Sequence, residues 1–275
     1  MKRPNPARIA ALLLLALLLP AAAGCAQLRG RTPPAVNDDS LQRILDEGQL
    51  ILGLDADFPP MGFTDESGEI VGFDIDVAQE VCRRLGVKLV KQPIDWDAKE
   101  EELNSGRIDC IWNGMSVTPG RAASMCLSEP YMKNELIFVV AENSSAKGLS
   151  DLRGKRIGVQ IGSTALEVLE ASDIYKDITS VPLSDNVMLL HWLKRNFLDA
   201  ALVDSVAAYY FIFSSDERYF VLPDSLGEEE YAIGFRKDDR ALRNKVQEIV
   251  SEMKADGTLG EISKKWFRSD ITTVR

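Results

Sequence analysis

The sequence predicts an α/β fold of two lobes with a mainly parallel sheet. From Leu50 onward, short apolar runs alternate with segments of helical periodicity, which is typical of parallel α/β proteins. The alternation forms two blocks, about 50–133 and 150–222, with the polar stretch 142–147 between them. At 275 residues, with 45% hydrophobic and 27% charged residues, the chain can bury two cores without disulfide staples.

The first 24 residues have the features of an export signal. Three basic residues precede an apolar run over 9–19, and small residues lead to Cys25. The run is shorter than the ~20 residues that a membrane-spanning helix needs. The sequence AAGC at 22–25 resembles the lipobox of bacterial lipoproteins, which predicts a palmitate-type lipid on Cys25; the alternative is ordinary cleavage near Ala23. We expect an exported protein, lipid-anchored to the cell membrane through a polar tether at 25–37, in the periplasm or at the cell surface.

The elements follow from the period of the apolar residues. Apolar runs of four to five residues predict strands, and apolar residues at helical spacing predict the helices that connect them. The predicted strands are 50–54, 88–91, 108–112, 136–140, 156–160, 200–203 and 231–235. The predicted helices are 74–85, 96–104, 164–171, 185–196, 205–213, 239–254 and 258–266. Ligands of open α/β sheets bind beyond the carboxyl ends of strands, so the residues that follow these strands are the candidates for a site.

Charge and composition exclude several classes of function. The net charge of −10, from 32 Lys+Arg against 42 Asp+Glu, argues against nucleic acid as a partner. His191 is the only histidine, which excludes a His-rich metal cluster and makes a Ser-His-Asp or Cys-His mechanism improbable. We therefore expect no metal and no cofactor. Besides Cys25, an odd number of cysteines remains (Cys82, Cys110 and Cys126), and the sequence leaves their pairing open.

An acidic and an aromatic side chain arrive together at the end of the first strand. Asp55 follows the strand 50–54, and Phe58 precedes the rigid pair Pro59-Pro60. This arrangement suits contact with a ligand side chain. The alternative is that Asp55 caps a turn and Phe58 belongs to the core.

Arg121 lies at the start of a predicted short helix. Thr118 and Pro119 are a good N-cap and first residue, which places Arg121 in the first turn. A cation there opposes the helix dipole by about 0.3 to 1 kcal/mol, so it suits a bidentate carboxylate clamp better than a helix-stabilising role. The alternative is an exposed arginine near a solvated carboxylate.

The residues between the strand 108–112 and this helix are further candidates. Trp112 could form an aromatic wall or belong to the core, and Asn113 could supply hydrogen bonds. Gly114 and Ser116 follow on the way to the helix.

Two later segments offer an anion site and a carboxylate. Ser163 and Thr164 start a helix whose free amides could bind an anion. Thr164 with Glu167 also matches a capping box, which needs no ligand. Asp204 ends the strand 200–203, and it could be an N-cap for the helix at Ser205. Together with Arg121, however, Asp204 completes a pair of opposite charges that suits a zwitterion.

The sequence resembles the extracytoplasmic solute-binding proteins of family 3, the polar amino-acid receptors of ABC importers. The matching segments cover nearly all of the mature chain. They are LDADFPPMGF, GEIVGFDIDVAQEVCRRLG, GRIDCIWNGMSVTPGRAASMCLSEPYM, LRGKRIGVQIGST, FLDAALVD and YAIGFRKDDRALRNKVQEIVSEMKADGTLGEISKKWF. The resemblance implies a type II periplasmic-binding-protein-like fold, in which two lobes joined by two crossing strands close around one ligand. Lobe I would be 38–133 with 229–275, and lobe II would be 134–228.

The resemblance also implies roles for the candidate residues. The ligand α-carboxylate would be held by Arg121, Ser116, Ser163 and Thr164. The α-ammonium would contact Asp204 and the Gly114 carbonyl. The ligand side chain would face Asp55, Phe58 and Trp112. Trp112 and Asn113 depart from the residues usual in relatives, Asn113 standing where many have Ser.

The resemblance implies a monomeric binding protein, not an enzyme, whose partners are a free amino acid and the permease subunits. The alternative is an enzyme on the same scaffold, similar to cyclohexadienyl dehydratase, for which Asp55, Asp57 or Glu129 could supply the acid. A signalling or interaction module is a third and weaker alternative.

Overall fold

The computed structural model describes residues 38–214 and 218–274. The predicted signal peptide, the predicted lipidation site Cys25 and the tether 25–37 lie outside the described residues. Within the described part, no helix has both the length and the apolar character needed to cross a bilayer.

The described chain contains the predicted strands and helices in order, together with one helix and five strands that were not predicted. The strands are β1 (Gln49–Leu54), β2 (Asp57–Phe58), β3 (Gly62–Thr64), β4 (Ile70–Val71), β5 (Lys88–Pro93), β6 (Cys110–Ser116), β7 (Met125–Leu127), β8 (Met132–Ala141), β9 (Arg156–Gln160), β10 (Thr179–Leu183), β11 (Ala200–Asp204) and β12 (Tyr219–Arg236). The helices are α1 (Ser40–Glu47), α2 (Phe73–Leu85), α3 (Lys99–Asn104), α4 (Pro119–Ser124), α5 (Thr164–Ala171), α6 (Asn186–Lys194), α7 (Ser205–Ser214), α8 (Arg240–Ala255) and α9 (Thr258–Phe267).

The large sheet is parallel at its two ends and antiparallel in its middle. Its strand order is β10-β9-β11-β8-β12-β6-β1-β5, with β7 also paired to β12, and β2, β3 and β4 form a separate small sheet. The pairs β1·β5, β1·β6, β9·β10 and β9·β11 are parallel. The long strands β8 and β12 pair antiparallel with each other and with β11 and β6. The prediction of a mainly parallel sheet is therefore correct at both ends and wrong in the middle, where β8 and β12 link the two ends.

Each end of the sheet has a hydrophobic core on both faces. Successive side chains of a strand point to opposite faces, so the neighbours Cys110 and Ile111 of β6 belong to different clusters at one end. At the other end, the neighbours Phe138 and Val139 of β8 belong to different clusters in the same way. All buried residues of these two clusters lie within 136–222. The covering helices are amphipathic: in α8 the buried residues recur at helical spacing, as Leu242, Val246, Ile249, Val250 and Met253.

The three cysteines of the described part are free thiols. Cys82 and Cys110 are buried, and Cys126 is half-buried. Burial raises the pKa of the Cys82 thiol to about 12, as expected for a thiol that packs as an apolar group.

Candidate functional site

A small polar cavity lies where the carboxyl ends of strands from both ends of the sheet meet. Asp55 follows β1, Gln160 is the last residue of β9, and Asp204 is the last residue of β11. The cavity encloses about 20 Å³, room for roughly one water molecule. Its walls are formed by Asp55, Phe58, Trp96, Asn113, Gly114, Ser116, Arg121, Gln160, Ser163, Thr164 and Asp204. Every residue predicted to bind the ligand lies in this wall except Trp112.

Arg121 brings a buried positive charge to the cavity. Thr118 caps α4 by accepting a hydrogen bond from the Arg121 amide at 3.1 Å, with Pro119 as first helical residue, as predicted. The side chain is 5% exposed, and Nη1 donates to the Ser116 carbonyl at 2.9 Å. Burial lowers the pKa of Arg121, and the charges of Glu167 and Glu229 partly offset this effect. Among the described residues no carboxylate forms an ion pair with the guanidinium, which can therefore accept an anionic ligand group.

The start of α5 faces Arg121 across the cavity. The N-cap is Ser163, whose Oγ accepts from the Leu166 amide at 3.2 Å. The predicted capping box of Thr164 with Glu167 is therefore wrong by one residue. The Thr164 hydroxyl is instead free to contact Ser116 Oγ at 3.1 Å.

Asp204 faces the cavity within a network of donors. Its Oδ1 accepts from Asn134 Nδ2 at 2.5 Å and from the Tyr231 hydroxyl at 2.6 Å. The Ser205 amide at the start of α7 donates to Asn134 Oδ1. Asn134, rather than Asp204, therefore accepts the hydrogen bond from the first amide of this helix. Burial first, and the nearby charge of Glu229 second, raise the pKa of Asp204 to about 7.

The opposite end of the cavity is built around Asp55 and Gln160. Asp55 Oδ2 accepts from Gln160 Nε2 at 2.6 Å, and Oδ1 accepts from the Asp57 amide at 2.9 Å. Burial raises the pKa of Asp55 to about 6. Asn113 Oδ1 accepts from the Asp55 amide at 3.1 Å, and Asn186 Nδ2 donates to Gln160 Oε1 at 2.9 Å. These contacts form a polar wall that can accept from and donate to a ligand side chain.

Gly114 brings backbone, rather than a side chain, to the cavity. Its φ of +58° is a conformation that favours glycine, and a Cβ there would lie 2.7 Å from the Phe58 ring. The amide donates to Asp74 Oδ2 at 2.7 Å, and Tyr131 donates to the same oxygen at 2.9 Å. Asp74 is fully buried, which raises its pKa to about 7.

Trp112 does not reach the cavity, contrary to the prediction. β6 continues to Ser116, so Trp112 is an internal strand residue and shares a face with Cys110 in the core. Asn113 points to the opposite face and reaches the cavity wall. The predicted strand ended at Trp112, which made this residue look like a strand-end residue.

Two wall residues escaped the sequence analysis. Gln160 ends β9, so the strand-end rule that selected Asp55 and Asp204 could have found it. Trp96 follows β5 in a short 3₁₀ turn and was assigned only to a helix start. Lys99 lies 5.2 Å from the Trp96 ring centroid and donates to the carbonyls of Trp96 and Gly162.

The acidic residues proposed for an enzyme do not gather at the cavity. Asp57 and Glu129 are exposed and are absent from its wall, so Asp55 alone of the three faces it.

Comparison with known proteins gives consistent results. The sequence model of the bacterial extracellular solute-binding proteins, family 3, matches residues 50–269. The L-cystine-binding protein TcyJ of Escherichia coli (strain K12) is 29% identical over 234 residues, covering 84% of this chain and 87% of the relative. The arginine-binding extracellular protein ArtP of Bacillus subtilis (strain 168) is 34% identical over 227 residues, covering 81% and 87%.

Solved structures agree with the sequence comparison. An ABC uptake transporter substrate binding protein from Streptococcus pneumoniae with bound histidine superposes with a TM-score of 0.83 at 35% identity, covering 86% of this chain and 99% of that chain. The predicted family resemblance and the predicted two-lobe α/β fold are thereby confirmed.

Proposed function

This chain belongs to the bacterial extracellular solute-binding proteins of family 3, and we propose that it captures one polar free amino acid in the cavity and delivers it to the permease subunits of an ABC importer. The observation that carries the proposal is the buried Arg121 guanidinium, which has no ion pair within 38–214 and 218–274 and shares one cavity with the Asp204 carboxylate. A free amino acid carries one charge of each sign, and burying either charge is costly unless it is paired.

The α-carboxylate would bind at the Arg121 end. A guanidinium presents parallel N–H donors that match the two oxygens of a carboxylate. The hydroxyls of Ser116 and Thr164, now 3.1 Å apart, would turn toward the ligand, and the first amides of α5 beyond Ser163 would add their partial positive charge.

The α-ammonium would bind between Asp204 and the Gly114 carbonyl. Asp204 supplies the opposite charge, and Asn134 and Tyr231 already fix its carboxylate. Gly114 is the wall residue whose lack of a side chain opens its backbone to the ligand.

The ligand side chain would lie between the aromatic rings and the polar wall. Phe58 and Trp96 provide ring faces, so Trp96 takes the role predicted for Trp112. Asp55, Gln160 and Asn113 would accept from and donate to a polar or cationic tip, whereas a purely aliphatic tip would leave them unpaired.

Binding also requires the cavity to open, because about 20 Å³ admits a water molecule but not an amino acid. We propose that the predicted lobes, 38–133 with 229–275 and 134–228, separate by bending in β8 and β12. These two strands are the antiparallel connections between the two ends of the sheet.

The N-terminal features complete the proposal. Export by the segment 1–24 and a lipid on Cys25 would keep the protein, as a monomer, at the outer face of the membrane, where a permease can receive the ligand. Mass spectrometry of the protein from membranes would show an acylated N-terminal cysteine. A free thiol on a chain cleaved near Ala23 would contradict the lipoprotein proposal.

We further propose that the bound ligand is released unchanged. Prephenate and arogenate are the discriminating substrates for a dehydratase-like enzyme. Product formation from either compound by the purified protein would contradict a purely binding role.

The central experiment compares ligands that differ by one charged group. We expect one or more polar amino acids from a panel of twenty to raise the melting temperature, since a ligand at 100 times its Kd stabilises by about 2.7 kcal/mol. Agmatine, which is arginine without its carboxylate, should give no shift at equal concentration. Arg121→Ala should weaken binding by about 30-fold to several-thousand-fold, whereas Arg107→Ala, at an exposed arginine paired with Glu102, should not.

The same measurements can contradict the proposal. The absence of a shift with all twenty amino acids would do so. Equal binding of agmatine and arginine, or an Arg121→Ala variant within threefold of the wild-type Kd, would exclude the carboxylate clamp.

A further inference from the structure

Glu229 lies directly behind the cavity wall and is joined to Asp204 by one side chain. Asn134 Nδ2 donates to Asp204 Oδ1 at 2.5 Å and to Glu229 Oε2 at 3.0 Å. Asn134 Oδ1 accepts from the amide and the hydroxyl of Ser205, both at 3.1 Å, which fixes the orientation of the amide group. Both N–H bonds of Asn134 are therefore directed at carboxylates, one from β11 and one from β12.

Glu229 also contacts the other end of the zwitterion site. Ser116 Oγ donates to Glu229 Oε2 at 3.0 Å. Because a hydroxyl has only one hydrogen to donate, Thr164 is the donor and Ser116 the acceptor in the hydrogen bond between these two residues. One carboxylate thus touches both the residue that holds Asp204 and a residue proposed to bind the ligand carboxylate.

The two carboxylates have donors but no cation in contact. Within the described residues, neither Asp204 nor Glu229 forms an ion pair. Arg121 on α4 is near enough for their charges to offset part of the lowering of its pKa by burial. Its guanidinium, however, donates to the Ser116 carbonyl. Lys133 on β8 borders a surface groove together with Glu228, Glu229 and Glu230.

Two like charges that share a donor favour binding of a proton. Burial and the charge of Glu229 raise the pKa of Asp204 to about 7, and the Tyr231 and Asn134 donors limit the rise. Glu229 itself borders a surface groove, so solvent reaches one member of the pair.

We propose that Asp204 holds a proton when no ligand is bound, that this proton leaves to solvent when the ligand ammonium enters, and that Glu229 is the positioning residue whose neighbouring charge favours the protonated form. The inference rests on the proposed function. The ligand ammonium replaces the proton as the positive charge beside the two carboxylates. The net charge of the site is therefore the same before and after binding. Ligand affinity therefore rises as the pH rises toward 7 and becomes constant above it.

Other groups at the cavity titrate in the same range. Burial raises the pKa of Asp55 to about 6 and lowers that of Lys99 to about 8, and Asp74 lies behind Gly114 with a pKa of about 7. Glu167 on α5 and Glu100 on α3 act on Arg121. The test therefore compares variants rather than relying on the wild-type pH profile alone.

The test is calorimetric titration of the tightest-binding amino acid from pH 5 to pH 8.5, in buffers of different ionisation enthalpy so that released protons are counted. For wild type we expect proton release near pH 7 and a Kd that weakens about 100-fold from pH 8.5 to pH 5. Glu229→Gln keeps the size of the side chain, and its Kd should weaken less than about tenfold over this range. Glu230→Gln, at an exposed neighbour on the same strand, should retain the wild-type profile.

The outcomes separate this inference from the proposed function. Tight binding without proton release by wild type, or identical profiles for wild type and Glu229→Gln, would overturn the proton exchange and leave amino-acid binding intact. Asp55→Asn changes a residue of the cavity wall, so proton release is counted per bound ligand and should persist near pH 7. Binding by this variant without proton release would assign the proton to Asp55 and overturn the inference. Absence of binding at every pH would overturn the proposed function itself.

Discussion

Trp96 and Trp112 show how strongly the role of a tryptophan depends on whether it lies inside a strand or just after one. Trp112 is 1% exposed and lies in the core, whereas Trp96 is 8% exposed and forms part of the cavity wall. A Trp→Ala change in a core costs about 3 to 5 kcal/mol of stability, because it leaves a cavity. An aromatic face toward a polar or cationic group contributes about 0.5 to 2 kcal/mol of binding.

We therefore expect the two tryptophan variants to have different effects. Trp112→Ala should lower the free energy of unfolding by about 3 to 5 kcal/mol, and the fraction that folds should keep the wild-type ratio of Kd values for arginine and leucine. Trp96→Ala should change that ratio by about 2- to 30-fold. Urea denaturation and calorimetric titration of both variants measure the two effects. A change of selectivity only in Trp112→Ala would restore the sequence-based prediction and contradict the structure.

At the scale of residues, the strand-end rule accounts for most of the site. It selected Asp55, Asp204 and the Asn113–Ser116 segment, and it could have selected Gln160. The rule failed at Trp112, where the strand was predicted too short. The rule could not find Glu229, because the position of Glu229 beside Asp204 depends on the pairing of β8 with β11 and β12.

At the scale of elements, apolar periodicity predicted the strands that are buried and missed those that are half-exposed. The predicted strand 231–235 is only the end of β12, an 18-residue strand. Its first part begins with the short apolar run 219–222, which was not recognised as a strand, and continues through Pro223, Gly227 and a run of three glutamates, where half-buried and exposed residues mostly alternate. The antiparallel middle of the sheet could not be predicted for a different reason, because strand direction is decided by contacts between distant segments.

The short helix α4 allows a test of how an element positions a functional group. With six residues, α4 depends on its cap, and the cap hydroxyl of Thr118 binds the amide of Arg121 itself. Thr118→Ala should destabilise the protein by about 0.5 to 2 kcal/mol and weaken amino-acid binding together with it. Thr118→Ser keeps the capping oxygen and should restore both properties. Chemical denaturation and titration test this, and an Ala variant that binds like wild type would show that the cap does not position Arg121.

At the scale of the whole molecule, side chains from the two predicted lobes meet directly across the cavity. Asp55 contacts Gln160, Ser116 contacts Thr164, and Lys99 donates to the Gly162 carbonyl at 2.9 Å. The backbone beside the last contact is closely packed, because a Cβ on Gly162 would lie 2.6 Å from Asp97 Cα. In the proposed opening of the lobes these contacts separate when a ligand enters, so their strength contributes to the rates of opening and closing.

Lys99→Met tests this contribution, because the Lys99 side chain does not line the cavity, although it packs on the ring of the wall residue Trp96. A hydrogen bond from a charged donor contributes about 1.5 to 3 kcal/mol, so Lys99→Met should speed ligand dissociation by about 10- to 150-fold if the bond is broken before release. Lys91→Met is the matched control, since Lys91 Nζ donates at 2.8 Å to the Ile70 carbonyl within predicted lobe I. Stopped-flow measurement of dissociation should show faster release only for Lys99→Met. Equal rates for Lys99→Met and wild type would mean that the lobes part without breaking this contact.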